Sequence, residues 1–118
     1  MFNQALYDKK RELLDEINQV VPSKEVNIIF FGNEPNWDKN YFFCYFYDDD
    51  KKIDYNMYVY IDEKTGNITY KINTNREVEQ SLERWLNTEG KNAFAETYKL
   101  LKPLSQSEQL AFGAYYYI

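Results

Sequence analysis

Three consecutive aspartates, Asp48, Asp49 and Asp50, close the aromatic run YFFCYFY at residues 41–47, and Asp54 follows four positions later. Two carboxylates facing each other across a cleft could hydrolyse a glycoside, one as acid and the other as base or nucleophile. Sequence spacing alone does not bring these four into a cleft. A calcium loop needs alternating oxygen ligands, a central glycine and a closing glutamate, and DDDKKID has neither of the last two. Runs of like charge belong to solvated turns, and Lys51 and Lys52 partly neutralise this one. The chain contains no histidine, which removes the commonest general base and the commonest metal ligand together. The one cysteine, Cys44, excludes an internal disulfide and a zinc site. Cys44 lies among aromatics with no activating partner, so it reads as a core filler. The segments FGN, TGN, EGK and FGA form no phosphate-binding loop. The sequence thus predicts no catalytic residue, no cofactor and no metal, and points to binding rather than catalysis.

Composition narrows what is bound. A chain of 118 residues is one domain with enough length for a core. The net charge of −5 argues against nucleic acid, whose affinity comes mostly from phosphate neutralisation, and favours a basic protein partner. Residues 33–74 carry −3 of that charge, so the acid sits with the predicted strands. Aromatic residues make up 19%, twelve of them tyrosine, a side chain that suits both half-buried sheets and interfaces. Charged Asp8, Lys9, Lys10 and Arg11 fall where a signal peptide needs an apolar core. With no membrane-length apolar run, the expected location is the cytoplasm, away from any membrane.

Hydrophobic periodicity supplies the scaffold. Leu6, Leu13, Ile17 and Val20 form one stripe of a helix over residues 3–21, with Lys9, Lys10 and Glu12 mostly off it, and Pro22 stops it. VNIIFFG, residues 26–32, has apolar residues of both parities and reads as a central strand covered on both faces. NEPNWDKN is a loop, and YFFCYFY, IDYNMYVYID and NITYKIN are three further strands. The EKTG connection predicts a hairpin that pairs Ile61 with Ile68 and Val59 with Tyr70. Thr74 and Glu77 form a T-x-x-E capping box before a helix that Gly90 should end. A third helix covers about residues 91–101, and Ser105 and Glu108 open a short last one around Leu110 to Tyr115. The fold class is α+β: an N-terminal helix, a four-stranded antiparallel meander and two or three C-terminal helices, in a single domain over residues 1–118.

In the second hairpin, a four-residue turn at 48–51 would pair Phe46 with Ile53 and Cys44 with Tyr55 inside. It leaves Tyr41, Phe43, Tyr45, Tyr47, Tyr58 and Tyr60 on the opposite face; a one-residue slip would reverse the faces. Either the later helices cover this tyrosine face or it receives a partner, since contiguous exposed aromatics mark interfaces. The candidate partner-binding residues are Tyr41, Tyr45, Tyr58 and Tyr60, with the turn Asp48, Asp49 and Asp50. To these the NEPNWDK loop adds Glu34, Trp37 and Asp38.

The run LYDKKRELLDEINQVVP, the strand after it and the aromatic YFFCYFY resemble the opening of the YezG-like immunity proteins. The likeness runs over about residues 6–60, through Leu6-Tyr7, Glu16-Ile17-Asn18, Pro22 and the aromatic strand. It implies a small acidic cytoplasmic antitoxin that neutralises the nuclease domain of a secreted toxin. That family ends in a helix, a tryptophan-bearing connection and further strands, whereas helices end this chain, so no binding residue is carried over. The expected function is an immunity-type inhibitor occluding a basic toxin or nuclease. The alternatives are a small-ligand domain or enzyme with a tyrosine-lined pocket, and a homodimer that buries the tyrosine face against itself.

Overall fold

The computed structural model describes residues 3–21, 28–34 and 39–113. The order is helix α1 (Gln4–Val20), strands β1 (Ile28–Glu34), β2 (Lys39–Asp48), β3 (Ile53–Asp62) and β4 (Ile68–Asn73), then helices α2 (Arg76–Trp85), α3 (Lys91–Leu101) and α4 (Gln106–Ala111). The strands form one antiparallel sheet in the order β1-β2-β3-β4, the expected α+β arrangement. No helix among the described residues is long and apolar enough to cross a membrane.

Successive strand residues point to opposite faces, and one face of this sheet receives the helices. Phe42, Cys44, Phe46, Met57 and Val59 are fully buried there with Leu6, Leu13 and Ile17 of α1, Leu82 of α2 and Phe94 of α3. Phe42 is the hub. Its ring centroid lies 5.0 Å from Phe31, 5.0 Å from Phe94 and 5.9 Å from Phe112. Strand β1 is an edge, not the central strand expected from its double-parity apolar run. Ile29 and Phe31 enter the core, while Phe30 stays 45% exposed on the other face.

Local chemistry explains the remaining boundaries. Asn3 caps α1 by accepting the Leu6 N–H at 3.0 Å. The β3–β4 hairpin has the expected register, Ile61 with Ile68, Val59 with Tyr70 and Met57 with Ile72, and Gly66 takes the left-handed conformation at φ 76°. The β2–β3 hairpin is shifted by two from the expectation: its turn is 49–52, and Phe46 pairs Tyr55, Cys44 pairs Met57. An even shift leaves the faces unchanged. The cap of α2 is Asn75, which accepts the Val78 N–H at 3.0 Å, in place of Thr74. Gly90 does not end this helix. Its backbone is helical at φ −64°, and a π turn, Leu86–Gly90, joins α2 directly to α3. A Cβ at position 90 would stand 2.8 Å from the Trp85 ring, so the glycine makes room for the indole. The Thr88 hydroxyl donates to the Arg84 carbonyl at 2.8 Å, taking up an acceptor inside the widened turn. The Ser105–Glu108 capping box is present and opens α4. That helix stops at Ala111, and residues 114–118 lie outside the described residues.

Lys10, expected on the polar side of α1, is 1% exposed. Its ammonium donates to the Phe112 carbonyl at 2.8 Å and the Gly113 carbonyl at 3.1 Å, and lies 5.0 Å from the Phe112 ring centroid. This contact ties the residues after α4 to α1. Burial lowers the Lys10 pKa from 10.5 to about 8, slightly opposed by the nearby Cys44 sulfur. Below about pH 8 both folded and unfolded chains hold the proton, and the contribution of Lys10 is flat. From about pH 8 towards 10.5 only the unfolded chain keeps it, so Lys10 adds stability as pH rises. Lys10→Met leaves two carbonyls without their donor and is expected to cost about 1–3 kcal/mol at neutral pH. Urea denaturation of both proteins across the alkaline range should show the gap widening upward from about pH 8; a constant gap would contradict the assignment.

Candidate aromatic groove

The sheet face away from the helices carries the odd-numbered residues of β2 and the even-numbered residues of β3. Tyr41, Phe43, Tyr45, Tyr47, Tyr58 and Tyr60 are all half-buried on it, and in the observed register Tyr41 faces Tyr60 and Phe43 faces Tyr58. Helices α2 and α3 lie on the opposite face, so they do not cover these rings. Cross-strand and same-strand neighbours bring the rings together. Phe43 and Tyr58 have centroids 4.9 Å apart, Tyr41 and Tyr58 6.1 Å, and the Tyr58 and Tyr60 rings are parallel within 8° at 5.9 Å.

These rings line a groove of about 480 Å³ whose far wall is Phe30 of β1 and Leu110 of α4. Phe30 and Leu110 are 45% and 61% exposed, which places apolar surface at the mouth of the groove. Its floor depends on Gly32. That residue is the cross-strand partner of Tyr41, and a Cβ there would come within 2.5 Å of the Tyr41 ring. The phenol therefore lies flat over the β1 backbone. Among the described residues, no charged side chain lines the groove. On the same face, Tyr45 donates to the Asp54 carboxylate at 3.4 Å; partial burial, and then that carboxylate, hold the Tyr45 phenol above its ordinary range. Lys71 is the cross-strand partner of Tyr58 on the β4 side.

The candidate residues divide between places. Tyr41, Tyr58 and Tyr60 share the groove, and Tyr45 stands beside it along β2. The aspartates do not rim it. Asp48 lies seven residues along β2 from Tyr41, roughly 23 Å at about 3.3 Å per residue. Asp48 is also 3% exposed, where a solvated turn residue was expected. Its carboxylate accepts the Lys51 N–H at 3.2 Å and holds the turn. Asp49 and Asp50 are exposed at the tip, Asp49 paired with Lys52 at 3.3 Å. Glu34 ends β1 opposite Lys39, while Trp37 and Asp38 lie outside the described residues. Phe30, Gly32 and Leu110 were not singled out as site residues. A glycine facing an aromatic across two strands was the available signal, and it needed the β1–β2 register to be read.

The comparisons with known proteins add no relative: the chain matches no family model, no curated protein and no solved structure. Among the described residues, no group of three or more His, Cys, Asp or Glu is placed to hold a metal ion. A charged recess of about 320 Å³ between α1 and α3 is spanned by an ion pair of Lys9 with Glu96 at 2.7 Å.

Gly32 gives a direct test of how the groove is built. In Gly32→Ala the new methyl displaces the outer atoms of the Tyr41 ring, which can swing outward because Tyr41 is half-exposed. Stability should fall by less than about 1.5 kcal/mol, while the Tyr41 ring resonances lose their sheet-induced shifts. Unchanged Tyr41 resonances would show that the ring does not rest on β1.

Proposed function

We propose that the protein is a small acidic inhibitor of the immunity or antitoxin type, which occludes a basic protein partner such as a toxin or nuclease. One observation carries the reading: a sheet face that α1, α2 and α3 leave uncovered, on which the rings of Phe30, Tyr41, Phe43, Tyr58 and Tyr60, with Leu110 of α4, form one open groove. Contiguous aromatic surface of this kind marks interfaces, and Tyr is among the commonest binding hot spots. The net charge of −5 suits a basic target. The exposed Asp49 and Asp50 steer it from a distance, and the rings hold it once docked. The YezG-like resemblance of residues 6–60 supplies the class of partner, while helices α2 to α4 end this chain where that family has further strands. The groove volume of about 480 Å³ favours a second reading, a small-ligand site, because it falls in the usual range for such pockets.

The test is capture of a basic partner from the native cell and assay of its activity with and without the protein. Tyr58→Ala combined with Tyr60→Ala should weaken the complex by a factor of roughly 30 or more, with an unchanged far-ultraviolet spectrum. Replacing Asp49 and Asp50 with lysine should slow association and reduce its salt dependence, with little effect on dissociation. A partner that stays fully active in the presence of the protein, or binds the double tyrosine variant equally well, removes this reading.

A further inference from the structure

We infer that residues 114–118 of the same chain are the resident occupant of the aromatic groove in the free protein, laid across it from β1 towards β3. Two contacts fix where that segment begins. Lys10 holds the Phe112 and Gly113 carbonyls at 2.8 and 3.1 Å, and a Cβ on Gly113 would stand 2.4 Å from the Phe30 ring. Phe112 is buried against Phe42 in the helical layer, whereas Phe30 is a wall of the groove on the other side of the sheet. The chain therefore rounds the outer edge of β1 at residues 112–113 and stands at the groove wall when it reaches Gly113.

Reach and chemistry agree with that entry point. Phe30 pairs with Phe43 and Phe43 with Tyr58, so the three rings form one row across β1, β2 and β3. Two strand spacings make that row about 10 Å long, and five extended residues reach about 16 Å. The segment is Ala-Tyr-Tyr-Tyr-Ile, without a charge, and its tyrosines and isoleucine favour an extended path. Uncharged rings on the segment meet a described lining that is itself aromatic and uncharged, and packed ring pairs gain beyond their buried area. Tethering favours this occupant over a separate molecule, because a short tether holds it at an effective concentration on the order of millimolar. Ordering the segment costs entropy that offsets much of the burial. The cover is therefore one that a tight partner displaces, a last step that alone rests on the partner-binding reading above.

The experiment uses the full chain with its aromatic rings isotopically labelled. Through-space NMR contacts are expected between the rings of Tyr115, Tyr116 or Tyr117 and those of Phe43 and Tyr58. They should persist on dilution and be missing between differently labelled copies in a mixed sample. Benzyl alcohol serves as an outside ligand, followed on the Tyr58 and Tyr60 ring resonances. A groove open in about a tenth of the molecules binds such a ligand roughly tenfold more weakly than an uncovered one. Deletion of residues 114–118 should therefore tighten benzyl alcohol binding by about that factor. Changing Tyr115, Tyr116 and Tyr117 together to serine keeps the chain length and should give the same gain, with the circular dichroism spectrum as fold control. Unchanged affinity in the serine variant would overturn the inference, and so would ring contacts found only between copies. Ring contacts within one chain, with no partner captured from the cell, sink the inhibitor reading and leave the cover standing. Absence of those contacts, with a captured partner that Tyr58→Ala weakens, does the reverse.

Discussion

A strand cannot place two neighbouring side chains on one face, and β2 is aromatic at nearly every position from Tyr41 to Tyr47. Half of its rings must therefore leave the core wherever the other half is buried. Phe42, Cys44 and Phe46 meet the helices and are fully buried, which commits Tyr41, Phe43, Tyr45 and Tyr47 to the outer face. β3 repeats the pattern one strand over, with Tyr55, Met57 and Val59 inside and Tyr58 and Tyr60 outside. The core and the groove are thus two sides of one requirement. A change that improved the core by shifting β2 one residue would also dismantle the groove.

The helical layer then shapes the groove from behind. Lys10 holds the carbonyls of Phe112 and Gly113, and Phe112 packs on Phe42. The turn after α4 is fixed by both contacts, and from there Gly113 backs onto the Phe30 ring, where a Cβ would stand only 2.4 Å away. α4 in turn brings Leu110 to the groove mouth. A cation buried in the helical layer therefore sets the far wall of a groove on the opposite side of the sheet. A buried ammonium gains only when its donors are met, and here two carbonyls and a ring face meet them.

Much of this was legible because it depends on period and turn chemistry. The β3–β4 register followed from Gly66 and the alternation on either side, and the inward Phe42, Cys44 and Phe46 followed from parity. The β2–β3 turn lies one residue later than expected, which shifts the pairing by two, because Asp48 is not one of three equivalent solvated acids. It instead ends the strand and caps the turn with its own carboxylate, leaving Lys52 to take the left-handed position at φ 55°. Residues whose role depends on distant packing were not legible. Lys10 is a surface residue by type and becomes a core donor only through residues a hundred positions later. Gly90 has the composition of a helix stop but serves the Trp85 ring. Phe30 looked like one more core residue until β1 proved to be an edge.

The separation between the aspartate turn and the aromatic groove changes how an acidic interface on this protein would operate. Charges beside a binding groove strengthen contact but must be desolvated with it, and that cost can cancel the gain. Asp49 and Asp50 lie at the far end of the ribbon and stay solvated, so their field adds to encounter without that penalty, and salt screens it within about 10 Å. The described lining of the groove is uncharged, so its rings would be desolvated cheaply by an occupant. In the proposed complex, steering and holding would thus fall to different ends of the same two strands. A mutation at one end should leave the other function intact, because the β2–β3 ladder that joins them is buried on one face and continuously paired from Lys39 to Asp48.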